Sequence, residues 1–409
     1  MPLKPNILED ISKDHFISGP PPRHSYFSTD PNQTQTMLED ESGRLRLTGA
    51  LLKSALLVTG VIVAVLGTEN ANGDFEVLET HVPDLPRQPQ RWERDDSDAA
   101  QAGEMDIDHK DEPGKKIAIV SGLGISGNTA DNLNLSLLSE WLLGEGLGSD
   151  DQESAARISR LLIAGNSLSD PYLALPANVP ETGKKAASKK YGYDASSYNP
   201  APTAHLDAFL AELLPSIPIT LMAGQYDPAN STLPQQPIHQ AMFPHARAYA
   251  SAKIVHDESE IPEPGWFDSV TNPWEGDIEG WRFLGNSGQP VDDIFRYVEF
   301  GGEDGQGADG RLEVMESMLR WRCGAPTAPD TLWCYPFQDK DQFVVEECPH
   351  VYFVGNQPKF DSTVVEGPVG QQVRIISVPK FNDSGEVVLL DVATLEVELV
   401  KIEVQDLPE

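Results

Sequence analysis

The stretch Lys116-Ile-Ala-Ile-Val-Ser-Gly122 decides how this chain is read. Four consecutive apolar residues, closed by a serine and a glycine, fit a strand covered on both faces better than one with a face in water. Four more runs end in the same way: RLLIAGN (160–166), PITLMAGQ (218–225), GWRFLGN (280–286) and HVYFVGN (350–356). Helices are expected between the first three, around Asn132–Leu143 and His205–Leu214. A third helix, over Arg311–Arg322, places Leu312, Met315, Met318 and Leu319 on one face. The chain closes with QQVRIISVP (371–379), GEVVLLDV (385–392) and TLEVELVKIEV (394–404), expected as an antiparallel set whose first two strands join around Asp383-Ser384-Gly385. Alternating elements followed by strands predict a large unit of α and β structure with layered sheets over 115–409.

Two insertions interrupt this unit. Gly144–Ser154 is acidic and glycine-rich, and Pro176–Pro202 carries Lys184, Lys185, Lys189 and Lys190. The lysines read as a solvated loop. Upstream, residues 1–36 form a polar, extended lead-in around Pro20-Pro21-Pro22. Residues 37–86 turn to β patterning: RLRLTG (44–49), LVTGVIVAVLG (57–67), read as a strand pair or one bent strand, and DFEVLETHV (74–82). Asn72-Gly73-Asp74 is a hairpin signal between the last two. Three strands do not close a five-stranded barrel. Residues 87–114 are acidic and poor in apolar residues, a composition that predicts a disordered linker.

The whole chain has 409 residues, with 64 acidic and 30 basic, a net charge of −34. Such a surface repels a phosphate backbone and suits a basic protein partner. The most apolar run, Ala55–Gly67, is too short to span a bilayer, and the first residues lack the apolar core of a secretory signal. Cys323, Cys334 and Cys348 are too widely spaced for a zinc or redox pair, which favours a reducing compartment.

Loops at the carboxyl ends of buried strands converge on one crevice, where this architecture places its chemistry. The residue types there are mostly neutral: Ser121-Gly122, Gly165-Asn166, Gly224-Gln225, Gly285-Asn286 and Gly355-Asn356. Holding two divalent ions requires several carboxylates and imidazoles. Asp170 and Asp227 lie near two of the ends and His350 five residues before a third; singly, each reads as a cap, turn or core residue. Gly285-Asn-Ser287-Gly288 is not a nucleophile elbow. Gly122-Leu-Gly124-Ile-Ser-Gly127 matches a dinucleotide fingerprint, but the next strand ends in Gly165-Asn166 without the acidic residue that chemistry needs.

Longer strings carry a family resemblance. IAIVSGLGISG (117–127), RLLIAGNSLSD (160–170), LMAGQYDPANSTLPQQPIHQAMFP (221–244), FLGNSGQPVDDIFRY (283–297), APTAPDTLWCYPF (325–337) and CPHVYFVGNQPKF (348–360) resemble the B-subunits of eukaryotic DNA polymerase delta. So do LEDESGRLRLTG (38–49) and LVTGVIVAVLG (57–67). That family is similar to calcineurin-like phosphoesterases with an OB-fold attached. The resemblance implies an α+β fold: a layered phosphoesterase-like β-sandwich with flanking helices over 115–409, and a partial OB-fold over 37–86. It also implies family sequence ahead of the MPLKPNIL string, so Met1 is expected to be an internal start and the OB element to lack the opening of its barrel.

Measured against active relatives, Asp-x-His has become Ser121-Gly122-Leu123, and Gly-Asp-x-x-Asp has become Gly165-Asn166-Ser-Leu-Ser169. Gly-Asn-His-Asp/Glu reads Gly224-Gln225-Tyr226-Asp227, and Gly-His-x-His reads Gly355-Asn356-Gln357-Pro358. The resemblance therefore implies no catalytic, cofactor or metal residues and a structural role in nuclear DNA replication and repair. Its implied partners are the cysteine-rich C-terminal domain of the catalytic subunit, the clamp-associated third subunit and polymerase zeta, with DNA met only indirectly. A divergent metal-dependent phosphoesterase and a stand-alone single-strand binder are the competing readings. The second is opposed by residues 44–86, which hold Phe75 alone for stacking on bases.

Overall fold

The structure is a computed structural model that describes residues 35–53, 55–91, 114–128, 133–145, 148–170, 199–255, 261–298, 300 and 309–402. The lead-in up to residue 34, most of the acidic linker (92–113) and most of the lysine-bearing loop (171–198) lie outside the described residues.

The first four strands are β1 (Thr36–Asp40), β2 (Gly43–Thr48), β3 (Ala64–Glu69) and β4 (Phe75–His81), in a sheet of order β1-β2-β4-β3. The β3–β4 hairpin closes where the Asn-Gly signal lies. Asn70 N donates to Asp74 O at 2.8 Å, and Asn70 Oδ1 accepts from Asn72 N and Asp74 N. Sequence reading misses β1, three of whose five residues are acidic or hydroxylic. It also overextends the strand at 57–67, since only Ala64–Gly67 of that run pairs. Gly60 lies under the Pro326 carbonyl, where a Cβ would come within 1.9 Å, and the irregular run before β3 packs Leu56, Val58 and Val61 onto the larger unit.

The larger unit contains β5 (Lys116–Val120), β6 (Ile158–Ala164), β7 (Ile219–Met222), β8 (Phe267–Val270), β9 (Trp274–Ile278), β10 (Trp281–Asn286), β11 (Val351–Gln357), β12 (Asp361–Glu366), β13 (Gln372–Pro379), β14 (Glu386–Asp391) and β15 (Val397–Lys401). Six form one sheet in the order β15-β14-β5-β6-β7-β8 and five another in the order β12-β13-β11-β10-β9. Neighbours β5 to β8 are parallel, as are β10, β11 and β13; the outer pairs are antiparallel. The period of two then sorts every side chain. Ile117, Ile119, Leu162 and Met222 face the second sheet and meet Phe283, Val351, Phe353 and Ile376. Ala118, Val120, Leu161 and Ile163 face the opposite way, onto helices Leu133–Leu142 and Ala201–Leu213. On the far side, Tyr352, Val354 and Ile375 receive Val314, Met315, Met318 and Leu319 of helix Arg311–Arg320. Helix, sheet, sheet and helix make four layers, each buried aliphatic or aromatic side chain contributing about 1.5–3 kcal/mol.

Three further expectations change. The run at 385–392 does not pair with that at 371–379. β13 and β14 belong to different sheets, and the turn of helix Phe381–Ser384 carries the chain between them, Phe381 N donating to Ser121 O at 2.8 Å. The acidic insertion holds a helix, Ser149–Ala156. The segment expected to open the linker is docked as far as Arg91. Gln88 Nε2 donates to Pro349 O and Gln372 O, and the Arg91 guanidinium lies 4.5 Å from the Trp281 ring centroid.

Candidate functional site

The carboxyl ends of β5, β6, β7, β10 and β11 do meet, at one end of the seam between the sheets. Gly122 N donates to Gly165 O at 2.9 Å. A Cβ on Gly165 would fall 2.1 Å from Ser287 Oγ, and one on Gly224 2.2 Å from Asn166 N. There is no room for a side chain at either glycine, the obstacle being the Ser287 side chain at Gly165 and the Asn166 backbone at Gly224, and Gly165 also holds φ of +83°.

The side chain of Asn356 fills the middle. Its Nδ2 donates to Ala164 O at 3.2 Å and to Ser287 O and Oγ at 3.0 Å, while its own N–H donates to Ser121 Oγ at 2.8 Å. Ser121 Oγ donates onward to Pro379 O at 2.9 Å. Asn166 and Asn356 hold φ of 52° and 58°, a left-handed conformation asparagine adopts more readily than most residues. Beside them runs an amide network that sequence reading missed. Gln235 Oε1 accepts from Asn272 Nδ2 at 2.8 Å and from Gln289 Nε2 at 2.9 Å, Gln235 Nε2 donates to Gly224 O, and Asn272 Oδ1 accepts from Ser287 N at 3.0 Å. These residues lie on separate segments, Gln289 at the start of helix Gln289–Ile294, and no local pattern brings them together.

Asp227 is the sequence candidate that belongs here. Its Oδ1 accepts from Leu168 N at 2.9 Å and its Oδ2 from Gly224 N at 2.8 Å, so both oxygens are committed to shaping the β6 and β7 loops. Burial pushes its carboxyl up to about 6, against the opposing pull of the backbone N–H groups of Leu168, Gly224, Ser167 and Asn166. His350 lies at the other end of β11. Its Nδ1 accepts from Arg282 N at 3.0 Å, its ring packs edge-on to Trp281, and burial lowers it to about 4. Asp170 closes the described part of the loop after β6, beyond Ser169, whose N–H donates to Ile125 O. The three candidates do not converge. Among the described residues, no group of three His, Cys, Asp or Glu side chains is placed to hold a metal ion. What the crevice offers is mostly amides and hydroxyls bonded to one another, with Asn356 Oδ1 and Ser167 Oγ buried and unbonded; it lacks the several carboxylates and imidazoles that a pair of divalent ions requires.

The cysteines are thiols, with Cys348 pushed up to about 12 by burial. Among the described residues, no helix is long and apolar enough to cross a membrane.

Fold and site together define an α+β protein of two facing sheets with a small β-sheet element attached, its strand-end crevice closed by neutral side chains. Residues 117–362 match the family of DNA polymerase alpha/epsilon B-subunits, and residues 1–80 match the DNA polymerase delta subunit OB-fold domain. The chain is 36% identical over 405 residues to the DNA polymerase delta small subunit of Arabidopsis thaliana, covering 99% of this chain and 80% of the relative. It is 36% identical to the small subunit of Saccharomyces cerevisiae, covering 99% and 77%, and 33% identical to DNA polymerase delta subunit 2 of Drosophila melanogaster, covering 98% and 80%. The chain belongs to the family of DNA polymerase delta small subunits.

Proposed function

We propose that this chain is a non-catalytic scaffold subunit of DNA polymerase delta, built on a phosphoesterase-like domain (115–409) that no longer binds metal. One observation carries the reading: the Asn356 side chain bridges Ala164 and Ser287 in the place where strand ends would otherwise present ligands. The same reading assigns residues 37–86 to part of an OB-fold and gives the subunit a nuclear role. There it holds the catalytic subunit through that subunit's cysteine-rich C-terminal domain and connects it to the third subunit, with polymerase zeta as a further assembly. The net charge of −34 supports partners that are basic proteins rather than bare DNA.

The competing phosphoesterase is disfavoured by the separation of Asp227 from His350 and by the backbone bonds that occupy Asp227. An assay of the purified chain on a generic phosphodiester with manganese separates the two. A scaffold gives no turnover above background, whereas turnover abolished by Asp227→Ala with the fold intact establishes the enzyme.

A further inference from the structure

The segment that follows helix Arg311–Arg320 presents an aromatic face that is exposed among the described residues. Trp333, Tyr335 and Phe337 are 43%, 59% and 44% exposed, and the Tyr335 and Phe337 rings lie 4.9 Å apart. Cys334 forms a β-bridge to Leu233, and the Phe337 N–H turns back onto Tyr335 O at 2.9 Å, which sets the last two rings beside each other. Leu332 and Cys334, on either side of Trp333, pack onto a small core of Leu233, Ala325 and Phe343. The backbone is pinned on both sides of this segment. Leu233 N donates to Trp333 O at 2.9 Å and Tyr335 N donates to Leu233 O at 2.8 Å. Just before Trp333, Thr59 Oγ1 donates to Asp330 and Tyr297 OH to Thr331. The rings are thus held out from a fixed platform, and their ordering cost is met by folding rather than by binding.

Charge decides what such a face would take. Between residues 329 and 347 the exposed charges are five carboxylates and a single lysine. Lys340, between Asp339 and Asp341 in the chain, is paired with Glu346, and Glu347 with Arg282; Asp339 and Asp341, which follow Phe337 in sequence, make no ion pair among the described residues. Stacked bases would bring phosphates against these carboxylates, which disfavours a nucleic acid. A guanidinium meets both demands, since it stacks on aromatic faces and pairs with carboxylates.

We propose that the Trp333–Phe337 face with its acidic border is a docking site for a basic, arginine-bearing segment of another protein chain. This rests on the accessory-subunit reading and locates one contact within it. Aromatic anchors with a charged rim are the usual anatomy of such contacts.

The test uses the full chain, tagged and expressed in its own cells with a photo-reactive phenylalanine analogue in place of Tyr335. The cross-linked partner is mapped to its peptide. The triple variant Trp333→Ala, Tyr335→Ala, Phe337→Ala is compared for retention of that same partner, with thermal melts confirming the fold. The expected result is a cross-link to an arginine-bearing segment of net positive charge in a different chain and at least a tenfold loss of that partner in the variant; a cross-linked segment without arginine or of net negative charge overturns the proposal. Asp339→Lys with Asp341→Lys, which keeps the rings, should weaken the contact at low salt and flatten its salt dependence. A cross-link to this chain itself, own segment or second copy, overturns the proposal, as does full retention of every partner by both variants. If the unsubstituted chain brings down no polymerase subunit, it is the accessory-subunit reading that fails.

Discussion

Asp227 and His350 titrate in opposite senses across the same range. His350, lowered to about 4 from an ordinary 6.5, favours the folded state above 6.5, and that stability is lost as pH falls toward 4. Asp227, raised to about 6 from 3.8, behaves in reverse. Its contribution is full below 3.8 and is lost as pH rises through 6. Between pH 7 and pH 5, His350 costs about 2 kcal/mol and Asp227 returns about 1 kcal/mol. Asp227→Asn should therefore lose about 1 kcal/mol more than the parent over that interval in urea unfolding. At pH 7 it should already be weaker by about 1–3 kcal/mol, because an amide offers one acceptor where Leu168 N and Gly224 N need two. Equal slopes for the two proteins would mean that Asp227 is ionised in the fold throughout. Gly224→Ala tests the close approach of the strand ends: a methyl group 2.2 Å from Asn166 N should cost about 1–3 kcal/mol in the same measurement.

At the scale of elements, the strands that announce themselves are those buried on both faces, because continuous apolar runs such as Ile117–Val120 have few other uses. Strands β8, with Asp268 and Ser269, and β9, with Glu275, Gly276 and Asp277, carry too few apolar residues in too short a span to be read. Asp383-Ser384-Gly385 marks a turn correctly but cannot say which sheet the next strand joins, since that depends on what lies opposite. For the same reason the glycine-ended strands are legible as a crevice, while Gln235, Asn272 and Gln289, which close it, are not. The junction between the small sheet and the larger unit is also a tertiary matter. Arg322 Nε donates to Asp84 O at 2.6 Å, and the Nη1 of Arg320 meets Asp84 Oδ1 at 2.6 Å. Gln371 Nε2 donates to Pro86 O. Arg322→Ala should loosen this junction, costing about 1–3 kcal/mol and speeding hydrogen exchange in residues 82–91 while β5 and β6 stay protected. Unchanged exchange at 82–91 would show that buried Leu85 and the Arg320, Gln371 and Gln88 contacts hold the junction without Arg322.

For the whole molecule, the strand-end crevice between the two sheets is filled by the chain's own side chains, so what the fold offers to others is its outer surface. That surface is strongly acidic, and a single-stranded oligonucleotide should bind the isolated chain weakly, if at all, at moderate salt. Tight, salt-sensitive binding would revive the single-strand reading. The most direct measurement is affinity purification of the tagged full chain from its own cells, with every co-purifying protein identified and its stoichiometry determined. A scaffold subunit should bring down the polymerase delta catalytic subunit in equimolar amount and stay with it through gel filtration. A chain that emerges alone, monomeric, and hydrolyses phosphodiesters with added manganese would contradict that role.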